Sequence, residues 1–489
     1  MSGLSNSWIT RVVGVDVEFV NFNLGKATLL PQRLAVIGQG NTLSTYSEDK
    51  YTVTSAAAVG AIYGYGSPLH LACRQLFPDN GDGIGGIPVT IYPLVDDDAG
   101  VTAAGSIDAT GTATETASFK IKVGGIQTGN ITIETDDTAA TALGKIKTAI
   151  NAVLAIPVIA GTVGGGVLPL TAKWAGESGN DISIDISEID VAGLVFSSVA
   201  FTGGLANPDV EDALILIGDV WETFILNCMN YDDTDTLDTF QTWVEGRWLA
   251  EVKRPCIVTS GCCADYETRT AITDARKDDK TNPLAVSVDS PELPFVVAAR
   301  WLAKVIPIAN DDPAMNYIGE LTGLEAGPDI DQEDITVRNS SLKKGSSTNK
   351  KIGSIAVIND FITMYHPDEE GDYPAYRYVC DIVKLMNIVY NVDIVQEAFK
   401  GRPMLPDADP QPVRSKTAVQ PKNVKAVLKN LASSLNELAI LADLAYTKAN
   451  ISVVISSVNP KRLETTFPVK VSGNVEVNDT VVKWGFYLP

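Results

Sequence analysis

Leu34-Ala35-Val36-Ile37-Gly38 is a continuous apolar run of strand length, as expected of a strand buried on both faces. The segments downstream of it decide the fold class. Ser55-Ala56-Ala57-Ala58-Val59-Gly60 and residues 68–77 read as helices, the second opened by Ser67 as N-cap with Pro68 in its first turn. Residues 87–94 return to a strand. The alternation resumes downstream: helix over 210–218, strand over 223–228, helix over 235–250, strand over 255–258, charged helix over 266–278, strand over 284–288 and apolar helix over 294–306. Strands alternating with helices predict a largely parallel α/β sheet with right-handed crossovers.

Between these two blocks the composition changes. From about Asp96 to Ala206 the chain is rich in Thr, Ala, Gly and Ile. Phe119 to Val123 and Asn130 to Glu134 flank Gly124-Gly125 as strands of a meander would, residues 141–153 look helical, and residues 181–186 alternate cleanly. This stretch reads as a mostly β domain inserted into the α/β core. Beyond the core, 339–351 is rich in Ser, Lys and Asn and reads as an exposed loop, and 352–365 as strand-like. Residues 376–400 and 423–445 read as two long helices around a Pro-rich crossing at 401–420, and the chain ends in three β segments.

The 489 residues carry 38 Lys and Arg against 60 Asp and Glu, a formal net charge of -22. At roughly 150 residues per domain, that length suggests about three domains, or one core with an insertion. The acid surplus argues against a nucleic-acid binder or an anionic membrane as partner, because both need clustered cations. The longest uncharged stretch, 148–172, contains Pro157, Pro169 and Gly164-Gly165-Gly166 and is a poor membrane helix. No secretory signal is read at the N-terminus, and the six cysteines form no CxxC pair, which fits reduced thiols in a cytosol.

The catalytic inventory is thin. His70 and His366 are the only histidines. His70 reads as a helix-surface or packed residue, and His366, before Pro367, as part of an acidic loop. There is no G-x-S-x-G elbow and no Walker A loop. The glycine-rich Gly81-Asp82-Gly83-Ile84-Gly85-Gly86 opens toward a strand, whereas a phosphate cradle needs a following helix N-terminus. The acidic runs at 96–98, 232–235 and 311–312 lack EF-hand spacing. The expectation is therefore no enzyme, no cofactor and no metal site. A serine hydrolase would need a Ser–His–Asp constellation built on one of only two histidines.

Two features remain. Val424, Val427, Leu428, Leu431, Leu435 and Leu438 make one apolar helix face, and Lys422, Lys425 and Lys429 make a second, cationic stripe at the same helical spacing. The stripe lies at a helix N-terminus, where the dipole disfavours cations. From 401 to 489 there are 11 basic and 7 acidic side chains, against the grain of the whole chain. The stripe reads as a docking face for an acidic partner. Both termini also offer strands with no mate beside them. At the N-terminus Val13, Val15, Val17 and Phe19 alternate with polar residues. At the C-terminus Val475 and Val477, then Val481 and Trp484, come after turn signals at Gly473-Asn474 and Asn478-Asp479. Donation to a neighbouring subunit would cover such strand edges.

Several segments together resemble contractile phage tail sheath proteins of the Mu-like family. They are Leu34 to Gln39, Tyr65-Gly66-Ser67-Pro68-Leu69-His70, Trp174 to Ile182 with its G-x-x-G-N pattern, Gly203-Gly204 before Pro208-Asp209, Asp312-Pro313-Ala314 with Gly323-Leu324, and Ile362-Thr363-Met364-Tyr365. Departures fall near Met315, where the resemblance implies Arg, and near Met364, where it implies a second Thr. The resemblance implies a subtilisin-like α/β core without protease activity, an inserted mostly-β domain, a C-terminal α+β domain and extended N- and C-terminal arms. The boundaries it suggests are an arm over 1–24, core over 25–95, inserted outer domain over 96–205, core again over 206–350 and an inner domain over 351–489.

It further implies a homo-oligomer of stacked six-fold rings around a tail tube, with baseplate and tail terminator proteins as other partners, no nucleic acid and no membrane insertion. The particle would be a virion tail assembled in the host cytoplasm, contracting to drive the tube through the host envelope during genome ejection. The sheath of a bacteriocin or other contractile injection system is the near alternative, and another self-assembling shell the distant one. The arms (Val13, Val15, Val17, Phe19, Val475, Val477, Val481, Trp484) would exchange strands between subunits, and Lys422, Lys425 and Lys429 would face the tube.

Overall fold

The computed structural model describes residues 25–79, 81–368, 375–408 and 417–486. These divide into two compact units. The larger takes the described residues of 29–387 and 473–489, the smaller those of 1–28 and 388–472.

The larger unit is organised by a six-stranded sheet. Its order across the sheet is Leu284–Val286, Ile257–Cys262, Phe224–Asn227, Leu34–Gln39, Val89–Leu94 and Tyr51–Val53. The first five strands run parallel, and only the Tyr51–Val53 edge strand is antiparallel. The parallel α/β reading is thus met. Leu34 pairs with both Phe224 and Val89, so the opening apolar run is a central strand, and all six of its residues are buried. Helices cover a parallel sheet on both faces, which is why its strands read as unbroken apolar runs.

Local chemistry starts these helices where the sequence suggests. The Ser55 hydroxyl accepts from the Ala58 N–H ahead of helix Ala56–Tyr63, and the Ser67 hydroxyl from the His70 N–H ahead of helix Pro68–Leu76. The apolar helix runs longer than its reading, from Pro294 to Asp311, with Pro307 inside it. Thirteen of its residues are buried, Trp301 and Leu302 completely. It lies so close to strand Ile257–Cys262 that a Cβ at Gly261 would fall 1.6 Å from the Pro294 carbonyl oxygen. Only glycine permits that approach.

The strands between 102 and 202 ladder only with one another among the described residues. Leu194–Thr202, Thr102–Gly111, Val167–Ala175 and Val158–Ala160 form an antiparallel sheet, with helix Ala139–Ala152 against it. Trp174 is fully buried, and its indole N–H donates to the Ser178 hydroxyl at 2.8 Å. The segment is pinned to the core strand by Gln39, whose amide donates to the Ala175 carbonyl and to Asp96, both at 2.6 Å.

The expected loop at 339–351 is not one. Helix Ile335–Lys343 and strand Thr348–Ile352 occupy it, and Ser341, Ser346, Ser347 and Thr348 are fully buried. Composition misleads here because the buried serine and threonine hydroxyls hydrogen-bond within the fold. The buried Arg269 guanidinium pairs with Glu333 at 2.6 Å and donates to Ser346 at 3.0 Å and Ser341 at 2.9 Å. Ser347 exchanges hydrogen bonds with the Ile362 backbone, and Thr348 donates to Asp360. A hydrogen-bonded polar cluster is as buriable as an apolar one.

In the smaller unit, the helix read over 423–445 stops at Glu437. Ala439 turns left-handed at φ 54°, Ile440 is drawn fully inside, and Asp443 at φ 49° caps a second helix, Leu444–Asn450. Short antiparallel pairs complete the unit: Ser452–Ile455 with Leu463–Thr466, and Leu441–Ala442 with Lys470–Val471.

Candidate functional site

The two histidines are structural in setting. The His70 ring accepts from the Gly66 N–H at 3.1 Å and stacks edge-on against Tyr65. Burial, helped by Arg74 and Lys173, pulls its pKa down to about 4. His366 meets the Met364 carbonyl and Asp274. Among the described residues neither ring is hydrogen-bonded to a serine, no group of three or more His, Cys, Asp or Glu could hold a metal ion, and no helix is long and apolar enough to cross a membrane.

The distinctive surfaces lie near the chain ends. Val13, Val15, Val17 and Phe19 fall outside the described residues. Gly25, the first described residue, belongs to the smaller unit, with φ 84° and a site where a Cβ would meet the Val427 carbonyl at 2.6 Å. The Ala27 N–H donates to the Ser434 hydroxyl at 2.9 Å. Asn391 closes on Thr28 from both sides, its carbonyl accepting from the Thr28 N–H and its amide donating to the Thr28 carbonyl, each at 2.8 Å. In the larger unit, Asn387 likewise accepts from the Leu30 N–H at 2.8 Å. Side-chain amides thus stand in for a sheet neighbour along an extended segment.

Helix Pro421–Glu437 buries Val424, Leu428, Leu431 and Leu435 completely. Lys422 is exposed, and Lys425 and Lys429 are half-buried, roughly 130° around the helix from that apolar face. None of the three has an ion-pair partner among the described residues. The helix N-terminus is served instead by Asp407, which accepts from the Lys422 backbone N–H at 3.0 Å.

At the other end, the tail is anchored and then released. Within the larger unit, the Asn474 amide donates to the Ala314 carbonyl at 2.8 Å, and its carbonyl accepts from Lys384 at 2.7 Å. Lys384 is fully buried and also pairs with Asp381 at 2.9 Å. The Glu476 carboxylate accepts from Asn316 at 3.0 and 3.1 Å, and burial together with Asp360 raises its pKa. From there to Phe486 the chain forms no strand, and the hairpin turns that its sequence offers do not close. Val475, Val477, Val481 and Trp484 are 77–86% exposed, as are Val482 and Phe486. Six large apolar side chains in twelve residues are therefore left in water.

The anchoring set Asn316, Lys384, Asn474 and Glu476 is not evident from the sequence. One signal points to it: Lys384 is a lone cation inside the apolar run Ile382-Val383-Lys384-Leu385-Met386. Such a residue needs a buried partner.

No family model matches the chain. The Mu-like prophage FluMu tail sheath protein of Haemophilus influenzae is 26% identical over 470 residues, spanning 93% of this chain and 94% of that one. The chain is similar to a Mu-like tail sheath protein along nearly its whole length. The resemblance read from its scattered segments is met at whole-chain scale. Among solved structures, the sheath tail protein of Listeria innocua aligns with a TM-score of 0.48 and 11% identity, covering 92% of this chain and 94% of its own. The helical sheath of the anti-feeding prophage in its contracted state aligns with 0.47 and 11%, covering 98% and 99%.

Proposed function

We propose that this chain is the structural subunit of a contractile tail sheath. It polymerises as stacked six-fold rings around a tail tube and contracts to drive the tube through a host envelope. The observation that carries the reading is similarity to a tail sheath protein over 93% of the chain. The apolar tail beyond Glu476, exposed and without a strand mate among the described residues, supports it. A subunit that leaves such a segment in water has a use for it outside its own fold.

In this reading the tail from Val475 to Trp484, with the N-terminal Val13, Val15, Val17 and Phe19, adds strands to neighbouring subunits. Lys422, Lys425 and Lys429 face an acidic tube exterior. Screened contacts of about 0–1 kcal/mol each would hold the tube and still let it slide. The core keeps a subtilisin-like arrangement without protease chemistry, with 96–205 outermost and 351–489 innermost. Baseplate and terminator proteins close the ends of a virion tail assembled in the host cytoplasm. Contraction is a rigid-body rearrangement of subunits.

Negative-stain electron microscopy of the purified chain, alone and co-expressed with its tube protein, tests this. Tubes or stacked rings with a tube-sized lumen are expected. Flat lattices or closed shells in both preparations would overturn it in favour of another self-assembling shell.

A further inference from the structure

The tail of this chain leaves the fold through a built anchor, not as a frayed end. Lys384 is completely buried in helix Val379–Glu397, and Asp381 and Asn474 both take hydrogen bonds from its ammonium. Asn474 uses its other amide atom on the Ala314 carbonyl. Two residues on, Glu476 is held by Asn316. Beyond Glu476 the tail has no hydrogen bond to the body of the protein among those described; the Asn478–Thr480 contact and the Trp484–Phe486 ring pair are internal to it. The boundary between fixed and free chain is thus sharp and lies between Glu476 and Val477.

A buried ammonium is costly without partners, and a tail residue supplies one of them. Placing Asn474 correctly is therefore coupled to satisfying a charge inside the fold. A tail that peeled away at 474 would strand Lys384 with one fewer acceptor. The ten residues from Val477 to Phe486 could span about 33 Å if extended, so a small change of direction at their root moves the far end widely.

We propose that Lys384 is a positioning residue for assembly. Through Asn474 it fixes the direction in which residues 477–486 leave the fold, before a second copy of this chain engages them. This rests on the reading of the tail as a strand donor. Preorganisation lowers the ordering cost of docking, so the anchor should speed polymerisation without touching the partner.

The test uses three variants of the full chain: Asn474→Ala, Lys384→Met, and a truncation after Glu476. A spin label at Val477→Cys, read on unassembled subunits with the unsubstituted chain as labelling control, reports mobility at the root. Polymer yield is read by sedimentation. Asn474→Ala, which removes no core side chain, is expected to keep its thermal midpoint within a few degrees, to mobilise the label and to slow polymerisation at least about tenfold. Lys384→Met should do the same if it folds. An unchanged label spectrum and unchanged polymerisation in Asn474→Ala, with the truncation unable to polymerise, would overturn the anchor and leave the strand-donor reading standing. Normal polymerisation of the truncated chain would overturn the strand-donor reading itself.

Discussion

Two helices open with proline and end differently in character. Pro294–Asp311 in the larger unit is buried on nearly every side, with Trp301, Leu302, Val297 and Ile306 fully inside. Pro421–Glu437 in the smaller unit buries one face through Val424, Leu428, Leu431 and Leu435 and turns Lys422, Lys425 and Lys429 away from it. The first is a core element whose surroundings leave no room for change. On the second, the three lysines have no ion-pair partner among the described residues, and Lys422 is exposed. Burial on all sides marks a residue's work as folding, whereas a cationic stripe on the far side of a complete apolar face adds little to the core.

The largest effect expected from breaking this comparison is on the buried side. Gly261→Ala would drive a methyl group into the Pro294 carbonyl, and the helix cannot retreat without opening the core. A loss of more than about 3 kcal/mol, or failure to fold, is expected in urea titrations. Trp301→Ala should cost about 3–5 kcal/mol and Leu428→Ala about 2–5, since both side chains are fully buried. Near-equal costs at these two sites would show that the apolar faces of the two helices are equally structural.

The lysine face should behave in the opposite way. Changing Lys422, Lys425 and Lys429 together to Glu is expected to leave stability within about 1 kcal/mol, because carboxylates suit a helix N-terminus. Sheath formation around the tube, scored by electron microscopy, should nonetheless fail. Normal sheaths from the triple variant would remove the stripe from the account.

A further effect depends on pH. His70 is neutral and buried in the fold, with its pKa near 4 against 6.5 when free. The unfolded chain binds the extra proton, so this contribution is complete above pH 6.5 and is lost as pH falls toward 4. It amounts to about 3 kcal/mol at most. The half-buried Glu292, raised to about 7 by desolvation and by Glu325, acts oppositely and costs stability as pH rises from about 4.5 to 7. His70→Gln should flatten the acid limb of a stability-against-pH curve, and Glu292→Gln should lift its neutral limb.

Much of the fold is legible in the sequence because it rests on local signals. The apolar runs at 34–38 and 224–226 and the Ser67-Pro68 helix start are each decided within a few residues. The 339–351 stretch is not legible. Two of its buried serines, Ser341 and Ser346, accept from Arg269, some seventy residues away, and nothing local announces that. The break at Ala439 is hidden likewise, since a non-glycine residue in the left-handed region gives no compositional warning. At the candidate site, periodicity places the lysine stripe and the apolar alternation of the tail. The anchor at Lys384, Asn474 and Asn316 is a meeting of distant residues, and Asn474 reads simply as part of a turn.

The central claim is that the exposed tail is an interface awaiting a second copy. Cryo-electron microscopy of the assembled polymer at side-chain resolution tests it most directly. The account predicts six subunits per ring, with residues 475–484 paired as a strand on a neighbouring subunit and Trp484 buried there. A polymer whose tail folds back onto its own subunit, or stays in solvent with Trp484 exposed, would contradict it.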